Sequence, residues 1–500
     1  MKKEVVSLLV AGILTSFASE ISAMLEAKES PSPETAELAQ KRAVKRPQEV
    51  SFEQTLIEAY KRSPEWAAAI AHKKIADEGL AQAYSRLYPS INGQISFSNS
   101  RGNQRTRPSP FTSSETEPSS YGNNVSIALN QNLFDGFATT NSILAAEHSI
   151  LAARSELVDT EQKFFRAVLM VYLGVWEARQ RLEIAKKLEE NLAYDLRAAQ
   201  KKFDVGTGTR PEVAAAEAQH ADALYRRTAA QAALETALAQ FEAIARIKPP
   251  EGQIDLPPFP KELPTSEEEL KRLAQRWSPV LQAAREKALV ARFSESRERG
   301  ALLPHVDLNL SAAKSIDRAI NRLDPNSNTD NMNRDTDSTT YRASVTVSVP
   351  ILANESQRGT TYSASRRAGQ EALAAELAYQ KMSLDIMAEC IHIWTGFRAA
   401  QAQLRQSELS MKSAETAVEG ARQSAQQGLK SQTDVLFFEG KLLESRNSAV
   451  EAQKSYILMA YRMLELVGRL TALGLRLAVP RYCVEQNEEF ARAPIPFVLR

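Results

Sequence analysis

Hydrophobic and polar residues alternate in four short segments of the chain, which come in two pairs. The four segments are residues 90–100, 121–134, 305–315 and 340–352. In the first of them, for example, Ile95 and Phe97 flank Ser96. A period of two over about ten residues predicts a β-strand with one apolar and one polar face. Polar stretches between the strands of each pair predict loops at Arg101 to Ser120 and Ile316 to Thr339.

A different period follows each strand pair. Between Phe137 and Asp204 the chain has no proline, and its apolar residues recur every seven positions. The apolar residues of this heptad are Ile143, Ile150, Leu157, Phe164 and Val171. A continuous helix over this span would be about 100 Å long, and a sustained heptad predicts packing against neighbouring helices. The second copy, 354–427, carries Trp394 where the first carries Trp176.

Both long helices, 137–204 and 354–427, end in the same turn signal. In the first copy Gly206 stops the helix, and Thr209 and Glu212 have the spacing of a capping box. In the second copy the corresponding residues are Gly428, Ser431 and Asp434. The signal predicts two sharp helical hairpins. The returning helices are predicted at 210–246 and 431–467.

The whole succession of elements occurs twice. Before each strand pair, residues 51–88 and 266–302 have a helical pattern that is broken at a Ser-Pro dipeptide. The predicted fold class is mainly α with membrane β: internally duplicated long α-helical hairpins plus four strands per chain. The predicted domains are a signal peptide at 1–23, a polar leader at 24–50, repeat 1 at 51–246, a proline-rich linker at 247–265, repeat 2 at 266–468 and a C-terminal tail at 469–500.

The N-terminus has the features of a secretory signal peptide. Met1-Lys2-Lys3 is followed by a short apolar stretch from Val5 to Phe17 and by small residues ending at Ala23. We expect cleavage after Ala23 and export from the cytoplasm. No later run reaches the roughly 18 apolar residues of a transmembrane helix, and no cysteine lies near the cleavage site to carry a lipid.

The alternating strands have two interpretations. A soluble antiparallel sheet over a core shows the same alternation as a transmembrane barrel wall with lipid outside and water inside. The strands alone favour the soluble sheet, whereas the signal peptide and the long helices favour the membrane wall. Four strands cannot close a barrel, which needs about eight or more. A membrane wall would therefore be completed by further copies of the chain.

Composition and motifs argue against nucleic-acid binding and against catalysis. The 62 Lys and Arg residues balance 61 Asp and Glu residues, so no basic field would attract nucleic acid. The five histidines are dispersed, and no phosphate-binding loop or nucleophile elbow is present. Glu217 and His220 have di-metal spacing but lack the second copy that such a site needs. We expect no enzyme activity, no cofactor and no metal, and Cys390 and Cys483 allow at most one disulfide.

The chain resembles the TolC-type outer-membrane efflux protein family over roughly Ser51 to Gly468. The resemblance rests on the duplicated order of helix, strand, loop, strand, long helix, turn and helix. It also rests on four short motifs at strand ends and hairpins: Leu133-Phe134-Asp135-Gly136, Val349-Pro350-Ile351-Leu352, Phe203-Asp204-Val205-Gly206 and Thr433-Asp434-Val435-Leu436. The chain departs from the family pattern at Asn132, Ala425 and Phe437. Ala425 stands where some members have a tyrosine that helps to lock the entrance.

The resemblance implies a homotrimer in the outer membrane, with three four-stranded sheets forming one twelve-stranded barrel that continues into a tunnel of twelve helices across the periplasm. It also implies docking on a periplasmic adaptor (membrane fusion) protein and an inner-membrane transporter of the RND, ABC or MFS type. The implied function is the exit duct of a tripartite efflux or type I secretion system, which conducts its cargo passively. The alternative is a soluble periplasmic coiled-coil adaptor or scaffold without a pore. The sequence does not identify the cargo.

Two carboxylates are candidates for the channel aperture. Around a threefold axis Asp434 and Glu212 would each form a ring that attracts cations, and each would equally serve as a helix cap. The resemblance implies that an adaptor docks at the hairpin tips, which comprise Gly206, Thr209, Gly428, Lys430 and Ser431. Lys430 is either solvated or paired with a neighbouring hairpin. The two tip glycines serve backbone geometry.

Overall fold

The structure is a computed structural model of the chain. It describes residues 52–102, 104–109, 112–249, 254–323, 332–349, 355–427 and 429–479. Apart from Ile254, all of these belong to one unit of the fold, which is the unit described below. The predicted signal peptide and polar leader, the motif residues 350–352 and most of the predicted tail lie outside the described residues.

The first repeat begins with two short helices, continues through strands and ends in a helical hairpin. Its elements are α1 (Phe52–Arg62), α2 (Pro64–Ser85), β1 (Ser90–Arg101), β2 (Gln104–Ser109), β3 (Thr112–Asp135), α3 (Ala138–Asp204) and α4 (Arg210–Ala245). α3 is an uninterrupted helix of 67 residues, or about 100 Å at 1.5 Å per residue.

The second repeat follows the same order. Its elements are α5 (Glu267–Trp277), α6 (Pro279–Gly300), β4 (His305–Leu323), β5 (Met332–Ser348), α7 (Glu355–Gln426) and α8 (Gln432–Leu466). The predicted fold class is confirmed: the chain is mainly helical, and both the long hairpin and the strand pair occur twice. None of the described helices combines the length and the apolarity needed to cross a membrane.

Ser-Pro pairs start the second short helix of each repeat. Ser63 Oγ accepts a hydrogen bond from the backbone N–H of Trp66 at 3.2 Å, and Pro64 lies in the first turn of α2. Ser278 and Pro279 hold the equivalent positions at the start of α6. Proline is tolerated there because the N–H that it lacks would have no partner within the helix. Each repeat therefore changes from one helix to the next at this dipeptide.

The strands form one antiparallel sheet in the order β1-β3-β4-β5, with β2 paired to β3. The ladder between β3 and β4 reaches Thr116 and Leu323. The loops predicted at Arg101 to Ser120 and Ile316 to Thr339 were therefore wrong in extent, because strands run through much of both. A ladder needs only backbone N–H and C=O groups, so it continues beyond the segments in which apolar and polar residues alternate.

α3 is the central helix of the described unit, since it contacts α2, α4, α6 and α8. Its most buried hydrophobic residues, each at most 1% exposed, are Phe165, Val168, Leu169, Tyr172, Leu173 and Val175. Aromatic contacts join α1 to this core. Tyr60 stacks on Phe165 with 5.6 Å between the ring centroids, and Phe52 meets the edge of the Tyr172 ring at 5.0 Å. α1 therefore packs against the middle of α3.

A close backbone approach joins the sheet to the helices. Gly136, between β3 and α3, has a φ of 63°, a left-handed conformation that favours glycine. A Cβ atom at Gly136 would collide with the carbonyl oxygen of Gly300 at the end of α6, and one at Gly300 would collide with Gly136. The start of α3 and the end of α6 therefore meet backbone to backbone, next to the sheet.

Candidate functional site

The first hairpin turns at Gly206, whose φ of 79° lies in the left-handed region. The N–H of Thr207 donates to the carbonyl of Lys202 at 2.9 Å, and the N–H of Gly206 donates to the carbonyl of Phe203 at 3.0 Å. This pair of bonds is a Schellman motif, which satisfies the last carbonyl groups of a helix. A side chain at Gly206 would find space around it but would strain the backbone.

α4 begins with the predicted capping pair. The backbone N–H of Thr209 donates to Glu212 Oε2 at 3.0 Å, and Pro211 lies in the first turn. Within one chain, the structure places Glu212 as a cap of its own helix, where a carboxylate also favours the helix dipole. Its proposed place in an aperture ring needs further copies of the chain and stays a prediction.

The second hairpin repeats this geometry with more bonds to the carboxylate. The N–H of Leu429 donates to the carbonyl of Ser424 at 2.9 Å, which corresponds to the bond from Thr207 to Lys202 at the end of α3. Ser431 donates to Asp434 Oδ2 from its backbone N–H at 3.0 Å and from its hydroxyl at 2.9 Å. The same hydroxyl accepts from the N–H of Asp434 at 3.2 Å. Gly428 lies outside the described residues.

The bonds from Ser431 lower the pKa of Asp434. The hydroxyl has the largest effect, the backbone N–H the next, and the charge of Lys430 a smaller one. The carboxylate is exposed and keeps its negative charge to a lower pH than an ordinary aspartate. This charge is compatible with a ring that attracts cations, but the ring itself stays a prediction.

Lys430 lies against its own helix. Its Nζ is 4.6 Å from the centroid of the Phe438 ring in α8, which is a cation–π contact. The neighbouring Phe437, where the chain departs from the resembled family, is 61% exposed. The contact holds the Lys430 ammonium beside the first turns of α8. Pairing of Lys430 with a neighbouring hairpin would involve another chain and stays a prediction.

The sequence interpretation missed a charged cluster on α3, α7 and α8. Arg422 Nε in α7 donates to Glu439 Oε1 in α8 at 3.1 Å, and a terminal guanidinium nitrogen approaches the same oxygen. The Glu439 side chain is 5% exposed. Glu439 Oε2 and Asp195 Oδ2, the latter from α3, are buried without a hydrogen-bond partner among the described residues.

Burial in this cluster raises the pKa of Asp195. The charge of Glu439 raises it further, while Arg422 and Lys202 act in the opposite direction. One arginine thus faces two carboxylates, of which Glu439 is buried and Asp195 is half-buried. The cluster connects the two hairpins near their ends, because Asp195 belongs to repeat 1 and its two neighbours belong to repeat 2.

One face of the sheet is apolar and uncovered in the described unit. Its most exposed large residues are Ile91, Ile95, Phe97, Ile127, Tyr341, Val345 and Val347. Cross-strand pairs order these side chains into rows: Ile91 lies opposite Leu129, Leu129 opposite Leu310, and Leu310 opposite Ala343. An apolar surface of this extent marks an interaction site on a soluble protein or a contact with lipid.

The opposite face of the sheet is polar. Its positions on β1 are Ser90, Asn92, Gln94, Ser96 and Ser98. Their partners on the other strands are mainly Asn, Ser and Thr. A wall with one apolar and one hydrophilic face suits lipid on one side and water on the other.

Both the sheet and the helical layer end in uncovered edges. The outer edges of β1 and β5 have no strand partner in the described part of the chain. α2 exposes Ile75 at 67%, and α7 exposes Leu373, Leu377 and Leu384 at 53%, 53% and 66%. Unpaired strand edges and apolar helix stripes are both unfavourable in water. The uncovered features belong to neighbouring elements, since α2 leads into β1 and β5 leads into α7.

The described residues contain no group of three or more His, Cys, Asp or Glu side chains that could hold a metal ion. Cys390 is buried with Leu270, Ala274 and Ile386, and burial raises the pKa of its thiol to about 11. Such a thiol is inert at neutral pH. Its pairing with Cys483 is not tested, because Cys483 lies outside the described residues.

Comparison with protein families gives a match over both repeats. The family model described as outer membrane efflux protein matches residues 56–245 and 270–469. The matched ranges cover well over half of the chain. They include the sheet, the two hairpins and the candidate residues at the hairpin ends.

Individual relatives extend over most of the chain. The outer membrane efflux protein BepC of Brucella suis is 29% identical over 435 residues, which cover 86% of this chain and 88% of the relative. The alkaline protease secretion protein AprF of Pseudomonas aeruginosa is 24% identical over 435 residues, covering 85% of each. The solved CmeC outer membrane channel of Campylobacter jejuni has a TM-score of 0.68 at 16% identity, covering 88% of this chain and 89% of that one. This structural likeness concerns the fold alone.

Proposed function

Because the chain belongs to the outer membrane efflux protein family, we propose that it is the outer-membrane exit duct of a tripartite efflux or type I secretion system. Cargo passes through it passively, from an inner-membrane transporter and its periplasmic adaptor to the exterior. One observation carries the proposal. A sheet with one apolar and one polar face, open at both edges, continues directly into two long helical hairpins.

Three copies are the smallest number that would give a water-filled barrel. Each chain contributes four strands to the continuous path from β1 to β5. Two copies would give eight strands, and the interior of such a barrel is filled by side chains. Three copies would give twelve strands, and pairing β5 of one copy with β1 of the next would close every edge. The proposed assembly is therefore a homotrimer.

The helices also favour association of several copies, because a contact between the two repeats of one chain could recur between neighbouring copies. Within one chain α3 packs on α6, where His148 Nδ1 lies 2.6 Å from Glu286 Oε2. α7 and α2 are the counterparts of α3 and α6 in the other repeat. If α7 of one copy packed on α2 of the next in the same manner, the exposed Ile75, Leu373 and Leu377 would be covered. Hydrophobic burial would then favour the association.

The apolar face has the height of an outer-membrane wall. Along β4 it extends from Val306 to Ile316 and is interrupted at Lys314. Ten residues of strand span about 34 Å, or about 26 Å in height at a tilt of about 40°. Barrels of the outer membrane have an apolar band of roughly 25 Å. The proposed partner of this face is therefore the lipid of the outer membrane.

The hairpin tips are the proposed docking surface for the adaptor. The tip residues are Gly206, Thr209, Gly428, Lys430 and Ser431. Beside them Val205 and Leu429 are 74% and 77% exposed, and apolar side chains at exposed turns favour a protein partner. The transporter would be of the RND, ABC or MFS type. Asp434 and Glu212 would border the aperture, and the duct would have no catalytic role.

Fractionation of cells tests the location and the oligomer together. We expect the protein in the outer-membrane fraction, as a trimer that survives detergent at room temperature and dissociates on heating. Recovery as a soluble periplasmic monomer would contradict the duct. That result would favour the alternative, a periplasmic scaffold without a pore.

Cross-linking tests the proposed contact between copies. The chain would carry Ile75→Cys and Leu373→Cys in a background of Cys390→Ser and Cys483→Ser. A short bismaleimide should link this variant into trimers, whereas neither single-cysteine variant should form them. A matched pair of Leu373→Cys with Tyr225→Cys, an exposed residue on α4, should remain unlinked. Equal linking of both pairs would contradict the proposed packing of α7 on α2.

A further inference from the structure

The polar face of the sheet carries a positive charge in an otherwise uncharged region. We infer that Arg342 forms a ring of three guanidinium groups inside the assembled barrel, at mid-membrane depth, and makes this level of the duct attractive to anions. The inference rests on the proposed trimeric duct. The cargo class that it favours is molecules bearing carboxylate, sulfate or phosphate groups.

The ladder fixes the level of Arg342 in the wall. Arg342 on β5 lies opposite Ser311 on β4, Ser311 opposite Ala128 on β3, and Ala128 opposite Asn92 on β1. On β4, Ser311 stands between Leu310 and Ala312, whose side chains belong to the apolar face. The rows that contain these two residues lie in the middle of the apolar band. Arg342 therefore faces the polar side at the depth where the other side meets lipid.

No other charge lies near this level on the described part of the polar face. The nearest neutral levels are the next one toward the helices and the next two in the opposite direction along the strands. The residues of those levels and of its own are Ser90, Asn92, Gln94, Ser96, Asn124, Ser126, Ala128, Asn130, Asn309, Ser311, Ala313, Ser315, Ser338, Thr340 and Ser344. All of them are neutral. Arg342 is exposed and has no ion-pair partner among the described side chains.

The carboxylates of the same face are too distant to neutralise Arg342. Asp307 and Asp317 on β4 are four and six residues from Ser311, or about 14 and 20 Å along the strand. Both distances exceed the Debye length of about 10 Å at 0.1 M salt. Asp307 also accepts a hydrogen bond from Asn132 Nδ2 at 3.1 Å. The two acidic levels thus lie on either side of Arg342 without contacting it.

Closure of the barrel would not supply a counter-charge. In the trimer β5 would lie beside β1 of the next copy. The polar face of that strand carries serine, asparagine and glutamine from Ser90 to Ser98, so its described residues offer hydrogen-bond partners but no carboxylate. A ring of arginine side chains in a water-filled barrel lowers the barrier for anions and raises it for cations.

Ion selectivity in planar bilayers tests the ring. The permeability ratio of K⁺ to Cl⁻ is obtained from the reversal potential for the full-length protein and for the variants Arg342→Gln and Arg342→Glu. At about 0.1 M salt, where the Debye length of about 10 Å screens Asp307 and Asp317 from this level, we expect the ratio to rise about twofold for the glutamine and more for the glutamate. The differences should vanish near 1 M salt, where screening acts over about 3 Å.

Lys314→Gln is the matched control, because it removes a positive charge from the same sheet on the apolar face. It should leave the ratio unchanged. If Arg342→Gln forms channels with the same selectivity as the unaltered protein, the inference of an arginine ring is wrong and the proposed duct is unaffected. Failure of the unaltered protein to form channels would instead overturn the proposed function on which the ring depends.

Thiol labelling gives a second readout at the same position. Arg342→Cys in the background of Cys390→Ser and Cys483→Ser would be treated in open channels with a cationic or an anionic water-soluble thiol reagent. The cationic group should return the ratio toward that of the unaltered protein, and the anionic group should move it the other way. No change with either reagent would show that residue 342 does not face the lumen and would overturn the inference.

Discussion

At the scale of single residues, hydrogen bonds within the first turn of a helix could be predicted from the sequence. Contacts between the two helices of a hairpin could not. Ser431 and Asp434 are three residues apart, so the capping spacing is enough to predict their hydrogen bonds. Arg422 and Glu439 are 17 residues apart and meet because α7 and α8 run side by side. The sequence signal that could have predicted this contact is a pair of opposite charges, Arg422 and Glu439, at similar distances before and after the second hairpin turn.

The hydroxyl of Ser431 should stabilise the start of α8. Ser431→Ala removes the bond to the N–H of Asp434 and the bond to its carboxylate, at a cost of about 1 kcal/mol. Amide hydrogen exchange in the first turn of α8 should accelerate by about fivefold, since 1.4 kcal/mol corresponds to a factor of ten. Exchange in the first turn of α4, the matched control, should be unaffected.

The lowered pKa of Asp434 predicts how its charge responds to acid. Because the pKa lies below its ordinary range, the carboxylate stays charged while ordinary aspartates become protonated. If Asp434 borders the aperture, the difference in cation preference between the unaltered protein and Asp434→Asn should persist into that pH range. Reversal potentials measured over a pH series check this. Currents that do not differ at any pH would leave Asp434 with its capping role alone.

At the scale of elements, the periodic signals gave the long helices and the strand pairs, but not the length of the strands. The heptad of α3 matches its packing, since buried residues recur along the helix from Thr139 to Leu192. The alternation of apolar and polar residues ends before the strands do, and β3 and β4 remain paired beyond it. Side-chain pattern reports burial, whereas pairing depends on the backbone.

The Asp195 cluster between the hairpins should make stability depend on pH. A raised pKa means that the folded state holds the proton more tightly than the unfolded state, so acidification through this pKa favours folding. Asp195→Asn imitates the neutral form and should raise the melting temperature at neutral pH by about 1 °C for each kcal/mol gained, given an unfolding entropy of about 2.1 cal/mol/K per residue. The gain should shrink in mildly acidic solution.

Thermal melting of the detergent-solubilised protein at several pH values measures the effect of Asp195→Asn. Asp204→Asn, at the exposed end of the same helix, is the matched control and should show no comparable gain. A melting temperature that falls at neutral pH would show that Asp195 gains more from Arg422 than it loses through burial.

At the scale of the whole molecule, the alternating strands predicted an incomplete wall, and the structure of one chain explains why. Its sheet has two open edges, and its helical layer has uncovered apolar side chains on α2 and α7. Neither feature states how many copies complete the wall. The number three comes from barrel geometry and from the family resemblance, and it stays a proposal until the oligomer is measured.

A charge on the apolar face should prevent assembly in the membrane. Val345 is 62% exposed and lies opposite Leu308 in the apolar band. Val345→Asp should cost somewhat less than the roughly 2–4 kcal/mol found for basic residues at mid-membrane, in each of three copies. The yield of heat-sensitive trimers should fall. Ser344→Asp, one residue away on the polar face, should assemble normally; equal yields for the two variants would contradict the orientation of the wall.

The contact between Gly136 and Gly300 bears on where such a duct could bend. With no room for a side chain on either backbone, this joint has little freedom to hinge or to slide. Any widening at the far ends of α3 and α7 must then be absorbed as gradual curvature along some seventy residues of helix. The rigid contact between Gly136 and Gly300 would leave the strands undisturbed while the opposite end of the duct opens and closes.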